Sequence, residues 1–240
     1  MLVIDAGGAE AEPWLAASAR ALEGTAAEVV ARTAPGSAAD VILAAAREET
    51  ADVIVLGATG ATGLVRFLIG STAERVLRHA EASVLIGRPV RYDLERVLVG
   101  VDPSGFAKRV VERATSLPIP PESVYQLATV LPLQGAIAGV APMVWASLAG
   151  ELQQIMDDAQ KDAETRLREH ARVLQSAGRN VKAEILRGDP TSALLGAAEK
   201  ECADLVIVGS HGEGGVDRFL LGSVSEQVAR HAQCSVLVVR

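Results

Sequence analysis

Aromatic side chains are scarce in this chain, at 3% of 240 residues, with two Trp, two Tyr and three Phe. Its core must therefore be built from Ala, Val, Leu and Ile, which suits a buried parallel sheet under Ala-rich helices. Basic residues are also in deficit: the net charge is −7, with no basic block. Nucleic-acid binding needs clustered Lys and Arg to neutralise phosphates, so a nucleic-acid partner is excluded. An anionic small ligand would have to be held by backbone N–H groups instead. Cysteine is limited to Cys202 and Cys234, with no C-x-x-C and no Cys/His spacing suited to a metal. A zinc site and a disulfide framework are both excluded, and each cysteine is read as a buried thiol in a reducing, cytoplasmic setting. Met1 is followed by Leu2-Val3-Ile4 without a charged leader, so no signal peptide is expected. The uncharged stretch 131–149 approaches the length of a membrane helix. Pro132, Gln134, Gly135, Gly139 and Pro142 interrupt it. It is expected to be a loop that serves as a lid or a dimer contact, with no membrane span.

What the sequence does contain is a repeat. Residues 52–87 align without gaps on 204–239, an offset of 152, with 17 identities in 36 positions. The shared pairs include Gly57/Gly209, Gly60/Gly212, Gly63/Gly215, Gly70/Gly222, Ser71/Ser223, Glu74/Glu226 and His79/His231. Each copy has a short apolar strand (52–56; 204–208), a glycine-rich loop, a helix and a second strand (83–86; 235–239). The helix begins at Ser71 or Ser223, read as an N-cap with Glu three residues on, a capping box. Upstream lie an Ala-rich helix (37–49; 191–201) and a strand (28–32; 181–186). Alternating strand and helix implies right-handed crossovers and a parallel sheet.

The second half adds a strand at 96–101, a helix at 106–116, a strand at 123–131 and a long helix at 148–176. It therefore predicts five parallel strands. The first half offers only a strand at 2–5 and a helix at 12–22 before its repeat, one β-α unit fewer. Asp5 could match Asp102, or the 2–5 strand could match the one at 124. Either deletion leaves four strands able to pair side by side. The reading is of two tandem open parallel-sheet α/β domains, 1–90 and 91–240, of Rossmann-like, adenine nucleotide α-hydrolase-like type and pseudo-dimeric.

The chemistry concentrates in Gly209-Ser210-His211-Gly212, then nine residues, then Gly222-Ser223-Val224. The loop leaves the C-terminal end of a parallel strand, where open α/β sheets bind ligands. Gly209 and Gly212 let backbone approach a ligand closely. Gly222 and Ser223 open a helix whose free N–H groups favour phosphate. Asp102, ending the strand that carries Gly100 and Val101, could reach the same crevice and accept hydrogen bonds from a base or ribose. The competing reading of each feature is ordinary: a turn, a cap, a solvated His211, and His79 and His231 set against helix C-termini. Asp217 and Arg218 read as surface charges, although the pair Arg66/Arg218 recurs and could assist a phosphate.

These residues resemble the universal stress protein family, whose ATP-binding members carry G-x2-G-x9-G-[S/T]. Gly209, Gly212, Gly222 and Ser223 satisfy that pattern, and residues 96–240 resemble the whole domain. The resemblance implies ATP, with magnesium as a possible companion, as the cofactor. It implies Gly209, Gly212, Gly222 and Ser223 at the phosphates, Asp102 near adenine and ribose, and Val130 contacting adenine through its backbone. The first half also carries Gly57, Gly60, Gly70 and Ser71, but its missing β-α unit implies a degenerate site, weak or empty. Family members commonly pair through their last strands, so 83–86 and 235–239 are expected to pair within the chain, and a homo-oligomer is possible. Three function classes stand at this point. They are a nucleotide-dependent stress-response binding protein, a scaffold without ligand, and a slow ATPase in which His211 or Asp217 would position water. No Gly-Lys-[Ser/Thr] motif supports the last.

Overall fold

The computed structural model describes residues 1–5, 11–24, 28–58, 69–89, 94–131, 142–211 and 221–240. Strands and helices alternate along the chain. The first half runs β1 (Leu2–Asp5), α1 (Ala11–Leu22), β2 (Val30–Thr33), α2 (Ala38–Glu48), β3 (Val53–Gly57), α3 (Ser71–His79) and β4 (Ser83–Gly87). The second runs β5 (Arg96–Gly100), α4 (Phe106–Ser116), β6 (Val124–Leu131), α5 (Pro142–Ser176), β7 (Asn180–Arg187), α6 (Pro190–Lys200), β8 (Leu205–Gly209), α7 (Ser223–His231) and β9 (Ser235–Val239). Seven strands form one sheet in the order β3-β4-β9-β8-β5-β6-β7. Every neighbouring pair in it is parallel except β4 and β9. The strands of the second half are the five expected ones, and β9 is buried along its whole length. An aliphatic run of that kind fits a strand covered on both faces.

The two faces carry separate cores. Val110, Val111 and Ala114 of α4 join Leu167, Ala171 and Leu174 of α5 on one face. Leu194 and Ala197 of α6, Val228 of α7, and Ala39, Leu43, Val76 and Leu77 of α2 and α3 pack on the other.

The last strands of the two halves pair as expected. Val84 faces Val238, Leu85 faces Leu237 and Ile86 faces Val236. Because the repeat equates 85 with 237, this register has a pseudo-twofold axis at the leucine pair. The side chains around it obey the same symmetry. Arg88 donates to Ala229 O (2.7 Å) and Cys234 O (3.1 Å), closing the C-terminal end of α7. Its counterpart Arg240 donates to Leu77 O (2.7 Å) at the end of α3. The Arg88 N–H donates to Ser235 Oγ at 3.0 Å, and the Arg240 N–H to Ser83 Oγ at 3.2 Å. Glu74, Arg78, Glu226 and Arg230 form a crossed quartet, with Arg78–Glu226 at 2.5 Å and Arg230–Glu74 at 2.8 Å. Burial works to raise the Glu74 carboxyl, but Arg230 and Arg78 outweigh it and hold it below its ordinary value.

Four corrections to the sequence reading follow. The first half does not close into a four-stranded unit: β1 and β2 form their own parallel pair, while β3 and β4 join the main sheet. The repeat matches β2 to β7, and β2 pairs with β1 as β7 pairs with β6. So β1 is the counterpart of β6, and the missing strand is the counterpart of β5. In the second half β5 lies between β6 and β8, so its loss separates the two pairs. One consequence is visible at Val55, which is 65% exposed, whereas its counterpart Ile207 is 0% exposed. Second, Ser71 and Ser223 are the first helical residues. Gly70 and Gly222 are the N-caps, and no side-chain cap bond forms. Glu74 and Glu226 instead turn to the arginines. Third, Cys202 is exposed, in left-handed backbone at φ 50° just past α6. Only Cys234 is buried, and burial pushes its thiol up to about 11. Fourth, the long helix begins at Pro142, inside the stretch expected to be a loop, while residues 132–141 lie outside the described residues. Among the described residues no helix is long and apolar enough to cross a membrane.

Arg88 belongs to the first half and is 8% exposed, yet its bonds serve the second. Arg88→Ala leaves buried carbonyls without a charged donor and is expected to cost about 2–3 kcal/mol in urea unfolding. Arg75→Ala, which breaks an exposed pair with Asp40, is expected to cost less than about 1 kcal/mol. Equal losses would refute the assignment of Arg88 to the junction.

Candidate functional site

The chain turns from one side of the sheet to the other between β5 and β8. Helices α4 and α5 lie on one face and α6 and α7 on the other. A crevice opens at the C-terminal ends of strands at such a switch point. Here it holds a cavity of about 780 Å³ between β8, β5, β6, α5 and the start of α7.

The floor is the loop after β8. Ser210 is fully buried. Its N–H donates to Val239 O (2.8 Å) and its carbonyl accepts the Gly222 N–H (2.7 Å), so the two ends of the glycine-rich loop are tied together. A Cβ on Gly222 would stand 3.1 Å from Ser210 O, and one on Gly209 would stand 3.2 Å from Val110 Cγ2 and 3.3 Å from His211 O. Close packing within the loop and against α4 thus disfavours a side chain at both positions, before any ligand is considered. Ser225, which the sequence reading passed over, donates its hydroxyl to Gly209 O and reinforces that closure. The first intrahelical bond of α7 is Glu226 N–H to Gly222 O (3.0 Å). The amides of Ser223, Val224 and Ser225 therefore have no intrahelical acceptor and lie at the positive end of the helix.

His211 is not solvated, contrary to expectation. It is 8% exposed, its Nδ1 lies 2.8 Å from Ser210 Oγ, and its ring sits 5.2 Å from that of Phe106. Gly212, Asp217 and Arg218 lie outside the described residues.

The opposite wall comes from β5 and β6. Gly100, Val101 and Asp102 line the cavity, as does Val130. The Asp102 Oδ1 accepts the Ser104 hydroxyl at 2.6 Å, and Oδ2 is buried with no hydrogen-bond partner among the described residues. A buried carboxylate oxygen without a donor is costly, which marks it as a place where a ligand donor would be stabilising.

The third wall was not foreseen. Asp162, Arg166 and His170 of α5 face the cavity at spacings of four. Their only trace in the sequence is that period, next to the apolar stripe of Leu167, Ala171 and Leu174. Burial pushes the His170 imidazole below its ordinary value; Glu169 acts against this and Arg166 adds to it.

The first half reproduces the floor alone. Gly70 N–H donates to Ala58 O at 2.7 Å and Ala58 N–H to Gly87 O at 2.9 Å, matching the bonds around Gly222 and Ser210. Gly57 ends β3 and Ser71 begins α3, while Gly60 lies outside the described residues. With the β5 counterpart missing, no described residue stands where Asp102 stands in the second half.

The model of the universal stress protein family matches residues 3–88 and 94–240. The chain belongs to that family. The match in two segments agrees with the tandem reading of the repeat. A curated universal stress protein of Methanocaldococcus jannaschii is 33% identical over 104 residues, 43% of this chain and 61% of that protein. One from Synechocystis is 29% identical over 149 residues, 60% of this chain and 97% of that protein. Among solved structures, a putative universal stress protein of Pseudomonas aeruginosa has a TM-score of 0.72 at 18% identity, covering 99% of this chain and 81% of its own. One from Archaeoglobus fulgidus has a TM-score of 0.64 at 24% identity, covering 96% and 76%. These structures share the fold: mixed α/β with mostly parallel open sheets.

In this universal stress protein His170 provides a pH test. Its pKa is lowered in the folded state, so the unfolded chain binds the proton more tightly. Stability is therefore complete above the unfolded value near 6.5 and falls as pH drops through the folded value. NMR titration is expected to put His170 below about 6.5. His170→Gln is expected to lessen the loss of melting temperature between about pH 7.5 and 5. A His170 that titrates at or above the ordinary value would contradict this.

Proposed function

We propose that this protein binds an adenine nucleotide, ATP with magnesium, in its second half, and acts in the cytoplasm as a nucleotide-dependent regulatory protein of the stress response. The observation that carries the proposal is the pairing of free α7 amides with an unpartnered Asp102 Oδ2 across one cavity. Strand order supports a direction for the ligand. The glycine loop follows β8, Val130 lies on β6, and β5 runs between them. With strands about 4.8 Å apart, a nucleotide whose phosphates sit at Gly209, Gly222 and Ser223 and whose base lies along Val130 brings its sugar over Asp102. Residues 91–240 are then the working unit. Residues 1–90 keep the phosphate floor at Gly57, Gly70 and Ser71 without the sugar side, a degenerate partner.

Among the described residues no group of His, Cys, Asp or Glu is placed to hold a metal ion by itself, so magnesium would arrive bound to the phosphates.

Calorimetric titration of ATP and magnesium is expected to show one site per chain. Gly222→Val, which drives a side chain against Ser210 O, is expected to abolish binding, and Gly70→Val to leave it within about twofold. Absence of binding at millimolar ATP, or loss of binding in both variants alike, would overturn the proposal.

A further inference from the structure

We propose that Arg166 is the positioning residue through which Asp102 reads the sugar of the bound nucleotide; this rests on the nucleotide reading above. Asp102 is held by a turn, Pro103-Ser104-Gly105, that leads into α4. The α4 N-cap, Gly105, has helical backbone and makes no side-chain cap bond, so the cap does little to fix the turn. Backbone bonds from the Ala107 N–H to Ser104 O (3.3 Å) and from the Val101 N–H to Ala128 O (2.9 Å) hold the segment at either end, and three side-chain bonds add to them. Ser104 Oγ donates to Asp102 Oδ1 (2.6 Å) and accepts the Phe106 N–H (3.2 Å). Arg166 Nη1 donates to Pro103 O at 2.7 Å from α5, 63 residues away.

The Ser104 bonds stay within the turn and would move with it. The Arg166 bond is the side-chain bond that references the turn itself, at Pro103, to another wall of the cavity. It joins the strand that presents the carboxylate to the helix that faces it. The guanidinium is a charged donor, and a charge-assisted bond to Pro103 O is stronger than a neutral one. With the turn held, Asp102 Oδ2 stays buried and unpartnered, ready for a donor from the ligand. A nucleotide can donate to a carboxylate from its base amine or its ribose hydroxyls; with the base along Val130 and the phosphates at the glycine loop, the ribose diol is the donor that falls over Asp102. A site built around such a bond discriminates against a ligand that lacks the hydroxyl, because the buried acceptor is then left unpaired.

The test compares ATP with 2′,3′-dideoxy-ATP in calorimetric titrations of the full chain. Wild type is expected to prefer ATP by about tenfold or more. Asp102→Asn and Arg166→Ala are each expected to bring the ratio close to one, and the double variant to go no further, as residues acting through one contact are non-additive. Arg166→Lys, which keeps a donor for Pro103 O, is expected to recover most of the preference. Arg168→Ala, whose side chain is exposed and pairs with Glu164, is expected to leave the ratio at the wild-type value. Thermal melting verifies that each variant is folded. An unchanged ratio in Arg166→Ala would overturn the assignment of Arg166. A wild-type ratio of one would overturn the sugar reading while leaving nucleotide binding intact. A wild type that binds neither ligand would remove both proposals.

Discussion

The antiparallel pairing of β4 with β9 is the contact on which the rest of this structure depends. Each half of the chain ends in a strand with an open edge, and each edge closes the other. A two-stranded sheet is marginal alone, and β3–β4 is such a sheet until β9 extends it to seven strands. The junction draws matching residues from the two halves. Arg88 and Arg240 each close a helix of the opposite half, and the glutamates and arginines of α3 and α7 pair crosswise. A substitution in either half is therefore felt in both. That explains why the first half has kept its repeat identity at the junction despite losing a strand.

The lost strand has two physical consequences. In the second half β5 lies at the switch point, bonded to β6 on one side and β8 on the other. It carries the backbone that joins the two wings and the carboxylate that faces the cavity. Without its counterpart, the first half separates into β1–β2 and β3–β4, and the outward face of β3 loses its cover, as Val55 shows. The floor of the first site survives because its bonds, Gly70 to Ala58 and Ala58 to Gly87, run only between β3, α3 and β4. Local structure persisted where its partners persisted. What required β5 is gone.

The same distinction governs what could be read from the sequence. The repeat and the strand and helix order of residues 96–240 follow from periodicity and the 152-residue offset, whereas the pairing of the last strands is expected only from the family resemblance. Gly209, Gly222, Ser223 and Asp102 were legible as parts of one crevice, because strand ends and helix starts are local signals. The failures at the site and in the sheet were non-local. His211 is buried because Phe106 and Ser210 lie against it, and neither contact shows in the pattern around residue 211. Ser223 looked like a cap, but Gly222 occupies that position because its N–H must meet Ser210 O. Arg166 is 63 residues from the turn it holds. The separation of β1 from β3 needed knowledge of which strand was absent, and either deletion gave the same count of strands.

Charge sets the remaining constraint on the cavity. The chain carries −7 overall, and the described wall holds two carboxylates, Asp102 and Asp162, against one guanidinium, Arg166. His170 adds no charge near neutral pH, since burial holds it toward its neutral form. The described side chains therefore do not neutralise a polyphosphate here. The free amides of α7 can stabilise it, but they contribute oriented partial charges and leave the net charge of the site unchanged. A ligand bearing several negative charges would then enter most favourably with a divalent cation already attached, which lowers the charge the amides must face. A neutral or singly charged ligand would gain less from those amides and could not reach both the α7 terminus and Asp102 unless it spanned β8 to β6. The cavity thus selects on length and on charge distribution together, donor at one end and anion at the other, rather than on net positive potential.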